Sequence, residues 1–157
     1  MPMRHEVLEE SYCWQLLRGA AVGRVAAELD GRLTIRPVNF AVDHATILVR
    51  TGLGSTVARL VGHAVVFESD GAIQDPSPGR VDELVAWSVI IEGIARAVLN
   101  PDDLMATFDV PLMPWHASPK PAFVRIEATG VSGRYFPVAD PSAWQSPLHL
   151  SKRAAQE

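Results

Sequence analysis

The chain has 157 residues, 48% of them hydrophobic, enough for one domain with a buried core and short for two. Fourteen basic against eighteen acidic residues leave a net charge of −4, so no overall positive field draws in nucleic acid or an anionic membrane, and neither is an expected partner. No apolar run reaches the roughly 18 residues that cross a bilayer, MPMRHEVLEESYCW carries acids where an export signal needs an apolar stretch, and Cys13 has no second cysteine to pair with, so the expected compartment is the cytoplasm.

In chain order, Val7, Leu8, Cys13, Trp14 and Leu17 share a helical face behind the acidic Glu6, Glu9 and Glu10, which predicts an N-terminal helix over about 6 to 19. From Val22 the period changes. VGRVAAEL and RLTIRPVNFAV flank Asp30-Gly31, a strong hairpin signal, and a second turn at Val42-Asp43-His44 leads into ATILVRT, so three strands form an antiparallel meander. After the turn at 50 to 56, Val57, Ala58, Leu60 and Val61 suit one or two helical turns, and HAVVFESD returns to a strand. GAIQDPSPGRVD, 71 to 82, reads as the longest surface loop. ELVAWSVIIEGIARAVL predicts a long strand that bulges near Gly93. A helix start follows at Asn100-Pro101-Asp102-Asp103, then a proline-rich loop, VPLMPWHASPKP, with Trp115 as a candidate lid. AFVRIEATGVSGRYF predicts two final strands, and the tail from 137 to 157 is expected to be loosely held. Hairpins this close in sequence argue for a small barrel over about 22 to 136 and against a doubly wound sheet, all within a single domain.

Three stretches carry candidate chemistry. In RTGLGST, Gly52 and Gly54 permit positive φ and close backbone approach, while Thr51, Ser55 and Thr56 present hydroxyls where a helix begins; the stretch is either a plain turn capped by Ser55 or a cradle for an anion. It matches neither GxxxxGK[ST] nor GxGxxG. In TIRPVNF, Pro37 needs a place where its missing N–H is not wanted, and Arg36 and Asn39 are polar breaks; either this is an edge strand or something polar lies beside it. In AWSVIIEG, Trp87 beside Ser88 is either barrel core or an aromatic wall with a hydroxyl. The five histidines show no ligand spacing and no GxSxG elbow occurs, which argues against metal hydrolysis and a serine triad.

Taken in order, RPVNF, ILVRTGLGST, VVFESD, WSVIIEGIARAV and FVRIEATGVSGR resemble the pyridoxamine 5′-phosphate oxidase-like family of flavin-binding split barrels over roughly residues 8 to 136. The resemblance implies a mainly β fold with short helices: a six-stranded antiparallel split barrel, Greek-key-like and homodimeric, with FMN between the subunits and a small molecule as substrate. It implies Arg36, Pro37, Val38 and Asn39 along the isoalloxazine and ribityl chain, and Arg50, Thr51, Gly54, Ser55 and Thr56 at the phosphate. Trp87 and Ser88 would lie on a strand that reaches the flavin. The family commonly has Lys or Arg where this chain has Thr56, which leaves Arg59 or Arg36 as the source of charge. GVSGRYFPVADPSAW lacks the Arg and His pattern that grips pyridoxal phosphate, so vitamin B6 oxidation is not expected. The expected activity is an FMN-dependent oxidoreductase, with deazaflavin or haem as alternative occupants and a non-catalytic sensing module as the alternative role. Apolar Val65, Phe67, Val89 and Ile91 have two sheet faces to satisfy, and alternate positions that miss the interior are expected to meet a partner copy.

Overall fold

A computed structural model describes residues 6–76, 79, 83–98 and 122–138. The Asp30-Gly31 signal produces its hairpin: φ is +54° at Asp30 and +74° at Gly31, and β2 (Val22–Leu29) runs antiparallel to β3 (Arg32–Asp43) from Leu29↔Arg32 out to Val22↔Asn39. His44, also at φ +54°, turns the chain into β4 (Thr46–Thr51), completing the predicted meander. Only one short 3-10 turn, Ala58–Leu60, occupies the place where helix was predicted.

Three boundaries differ from the sequence reading. Residues 6 and 7 are not helical: β1 (Glu6–Val7) pairs with the last strand, and α1 (Glu10–Arg18) starts after an extended Glu9. Leu8 donates its N–H to the Gly133 carbonyl, so the sheet claims this segment before the helix begins. Residues 71 to 74, read as loop, belong to β5 (Ala64–Gln74), which pairs with β6 (Leu84–Ala97) as far as Gln74↔Leu84. Gly71 sits inside that strand because the Trp87 indole lies over it; an added Cβ would come 3.0 Å from Nε1. The third difference is at the end, where two strands were predicted and one continuous strand stands, β7 (Ala122–Pro137). The register does shift at Glu92/Gly93, where β6 was predicted to bulge, but the extra residue lies on β7: Glu92 pairs with Gly130 and Gly93 with Ala128, leaving Thr129 between them with its Oγ1 donating to the Glu92 carbonyl.

Every strand pairing is antiparallel, and the order β7-β4-β3-β2-β5-β6 closes on itself through β6–β7, giving a six-stranded ring to which β1 adds a short piece. Phe67, Ile47, Val89, Ile91 and Ile126 fill it, Phe40 meets Phe67 edge-on at 4.8 Å, and α1 covers part of the core with Cys13, Leu16 and Leu17. Val65, Phe67, Val89 and Ile91 are therefore satisfied within one chain. Their neighbours Val66 (39% exposed) and Ile90 (42%), together with Ile35 (59%), form an apolar outer face. The predicted helix from Asn100, the loop with Trp115 and the tail beyond Val138 lie outside the described residues. Among the described residues no helix is long and apolar enough to cross a membrane.

Candidate functional site

The ladder between β3 and β4 covers only Phe40–Asp43 and Thr46–Val49. Below it the two strands part: the Arg36–Asn39 segment stays paired with β2 alone, while Arg50 and Thr51 stay paired with β7 alone. The parting leaves two unpaired strand edges facing a common space, and this is why Pro37 is tolerated in a twelve-residue strand. A groove of about 350 Å³ lies there.

The structure brings most of the predicted site residues to this groove. Arg36, Pro37, Val38 and Asn39 line it from β3, Arg50 and Thr51 from β4, and Ser55 and Thr56 from the following turn. That turn is tightly specified. Gly54 adopts φ +71°, Ser55 N–H bonds the Gly52 carbonyl at 3.2 Å, and Ser55 Oγ accepts from the Ala58 amide at 3.1 Å, capping the 3-10 turn. The same hydroxyl stands 2.7 Å from Thr51 Oγ1, so the two alcohols form one polar unit. Ser55 caps the turn, as the plain-turn reading has it, and also lines open space.

Asn39 is 7% exposed, and its side-chain amide bonds none of the described residues. Yet no buried polar side-chain atom among them lacks a partner, so this amide must reach into the groove. Arg36 is exposed, donates to the Ile35 carbonyl at 2.9 Å and makes no ion pair with a described residue.

Four predicted residues lie elsewhere. Gly54 shapes the turn without lining the groove, and Arg59 pairs with the Asp30 carboxylate at the β2–β3 hairpin. Trp87 points inward at 5% exposure and borders two other cavities. Ser88, its neighbour on β6, stands on the opposite face in register with Asp70 and Arg134. Val22 and Val57, which complete the groove wall, were not anticipated. Counting outward from the Asp30-Gly31 turn would have placed Val22 opposite Asn39; Val57 had no such signal. His44 and His63 are exposed and outside the groove, and no described group of His, Cys, Asp and Glu is arranged to hold a metal.

Comparison with known proteins bears on this geometry. The family model described as pyridoxamine 5′-phosphate oxidase matches residues 9–135. No curated protein matches. Among solved structures, the FAD binding protein from Mycobacterium smegmatis is 32% identical, with 84% of this chain and 98% of that chain covered and a TM-score of 0.69. A conserved protein of unknown function from Corynebacterium diphtheriae is 31% identical over 84% and 98% of the two chains, TM-score 0.65. At 22% identity, a FAD-binding protein from Mesorhizobium loti shares the fold, with 85% and 98% covered and a TM-score of 0.66. The ring of strands, the parting of β3 from β4 and the family match over four-fifths of the sequence agree, and the chain belongs to the pyridoxamine 5′-phosphate oxidase-like split-barrel family.

Proposed function

We propose that this protein binds a flavin in the groove between β3 and β4 and acts as a flavin-dependent oxidoreductase on a small molecule, as a homodimer. The observation that carries the reading is Asn39, a residue only 7% exposed with its amide turned to open space rather than to the protein. An amide held on the wall of a groove with no bond to the described protein is placed to meet a ligand that supplies hydrogen-bonding edges, as an isoalloxazine or ribityl chain does. A bound flavin supplies hydride acceptance and donation; the chain supplies position and hydrogen bonds. Val22, Val38 and Val57 offer apolar contact, while Thr51, Ser55 and Thr56 offer neutral donors to phosphate oxygens.

The charge of that phosphate distinguishes the candidate cofactors. FMN ends in a monoester carrying close to two negative charges at pH 7, whereas each phosphate of FAD is a diester with one. With Thr56 where the family commonly has a cation and Arg59 held by Asp30, the described cations on the groove wall are Arg36 and Arg50, one fewer than the family commonly brings, which suits the singly charged diester better. The names of the M. smegmatis and M. loti proteins support the same choice. FAD is therefore favoured over the FMN first expected, and over haem, for which the described groove residues include no histidine.

The test is equilibrium dialysis of the purified protein against FAD and FMN, read by flavin absorbance. FAD should be retained at micromolar concentration and FMN bound about tenfold more weakly, and Thr56→Lys should close that gap by strengthening FMN. Protein that retains neither flavin refutes the reading. Reduction of bound flavin by NADH or NADPH, followed by reoxidation with an added acceptor, separates an enzyme from a sensing module.

A further inference from the structure

A second cavity, about 270 Å³, shares no lining residue with the β3–β4 groove. It lies where β1 and the start of α1 cross the ends of β5, β6 and β7. Its floor is apolar, made of Leu16, Ile73, Val85 and the inward-facing Trp87. Tyr12 and Tyr135 add two aromatic rings, and two carboxylates, Glu6 and Glu9, stand at its rim. No lysine, arginine or histidine is among its described lining residues, and Arg134, the nearest basic residue on β7, falls on the alternate face of that strand from Tyr135.

The arrangement is ordered rather than a loose acidic edge. Tyr135 donates its hydroxyl to the Glu6 carboxylate, and that bond, with burial adding to it, pushes the phenol up to about 12, so the tyrosine stays a neutral donor. Trp87 is pinned with its indole against Gly71, which holds the ring at the cavity floor. Glu9 precedes α1 and makes no capping bond there.

We propose that this cavity is a binding site for a small organic cation, an ammonium group carrying an aryl or short alkyl body. Aromatic faces attract a cation through their quadrupole, and the attraction grows when the cation is desolvated in an apolar hollow. The carboxylates at the rim meet the charge while the floor takes the apolar body. The volume falls below the range typical of drug-sized ligands, which limits the guest to about one ring and its ammonium group. Neither an anion nor a neutral hydrocarbon satisfies both the rim and the floor.

The probe is benzyltrimethylammonium, titrated into the full chain while the indole N–H resonance of Trp87 is followed, with the assignment made by Trp87→Phe. Its neutral isostere neopentylbenzene and the anion phenylacetate serve as comparisons. The expected result is a saturable shift of the Trp87 resonance with the cation, binding at least about tenfold weaker for both comparisons, and a further loss of about tenfold for cation binding in the Glu6→Gln, Glu9→Gln double variant. Both glutamates are exposed, and the amide oxygen introduced by Glu6→Gln still accepts the Tyr135 hydroxyl, so the double variant retains the fold. Absence of saturation, equal binding of the neutral isostere, or an unchanged affinity in the double variant each overturns the proposal. None of these outcomes depends on whether a flavin binds in the other groove.

Discussion

Ser55 serves two purposes with one oxygen, and their consequences separate on mutation. Its hydroxyl caps the 3-10 turn through the Ala58 amide and pairs with Thr51 Oγ1. Ser55→Ala should lower stability by about 1 kcal/mol, the usual cost of losing a cap, and lower flavin affinity as well, because Thr51 loses the partner that orients it. Asn39→Leu should do the reverse: stability holds or rises, since the amide that is removed bonds none of the described residues, while affinity falls. Thermal melts paired with flavin titration on the same samples read both quantities. A second residue-scale device lies on the other end of the β3–β4 ladder, away from the groove. The Asp43 carboxyl is held below its ordinary value of 3.8 mainly by the Arg125 guanidinium, with burial opposing and His44 assisting, and Arg125 also bonds Thr46 Oγ1 at 2.7 Å. A carboxyl depressed in the fold binds protons more readily in the unfolded chain. Its stabilisation is therefore complete above the ordinary value and disappears as pH falls through the lower folded one. Asp43→Asn should cost about 1–3 kcal/mol at neutral pH, and denaturation midpoints of variant and parent should converge as the pH is lowered below 3.8.

At the scale of elements, closure of the ring depends on a narrow seam. β2 and β5 share only three residue pairs, Arg24↔Glu68, Val25↔Phe67 and Ala26↔Val66, and Gly23 lies just beyond them. A Cβ on Gly23 would strike the Phe67 ring and come 2.7 Å from the Glu68 carbonyl oxygen, so Gly23→Ala has to push β2 away from β5. It should cost about 1–3 kcal/mol. Gly52→Ala, with nothing within 4 Å, should change stability by no more than about 0.5 kcal/mol, and urea titration of the two distinguishes a packing glycine from a tolerant one. The contrast also shows what was legible in the sequence. Turns announced themselves locally: Asp30-Gly31 and Val42-Asp43-His44 gave the meander, and Gly93 marked where the β6–β7 register shifts. The groove was legible through Pro37 and the alcohols of RTGLGST, since a proline inside a strand marks a missing ladder partner. The boundaries that failed were set by contacts distant in sequence. Residues 6 and 7 follow β7 rather than their own helical period, Gly71 is strand because Trp87 covers it, and β7 does not break at Gly130 because its pairing with β6 resumes on either side of one extra residue, Thr129. Arg59 is drawn away from the groove wall for the same reason, its charge being met by Asp30 from 29 residues away.

For the whole molecule, the outer surface of the ring poses the remaining question. Ala26 on β2 stands in register with Ile35 on β3 and Val66 on β5, so apolar side chains run across three adjacent strands on the face turned away from the core, and Glu92 on β6 ends the row. Ile35 and Val66 are 59% and 39% exposed, and Leu33 nearby is 90% exposed. Isolated apolar residues on a surface need no explanation, but a contiguous patch of them marks an interface. Ile35 is also the residue before Arg36, so whatever covers this face borders the groove. If the partner is a second copy of the chain, its arrival buries the patch and walls the open side of the groove in one step, which couples assembly to cofactor retention. Ile35→Asp places a charge in that patch, at its groove-side end, while leaving the interior of the ring untouched. The expected outcome is a shift from dimer to monomer in analytical ultracentrifugation, an unchanged far-ultraviolet circular dichroism spectrum, and flavin affinity lower by at least about tenfold. A parent protein that sediments as a monomer at every concentration removes the dimer from the proposed function. A monomeric Ile35→Asp variant that still holds flavin as tightly as the parent would show instead that each ring binds its cofactor alone, with the apolar face serving assembly only.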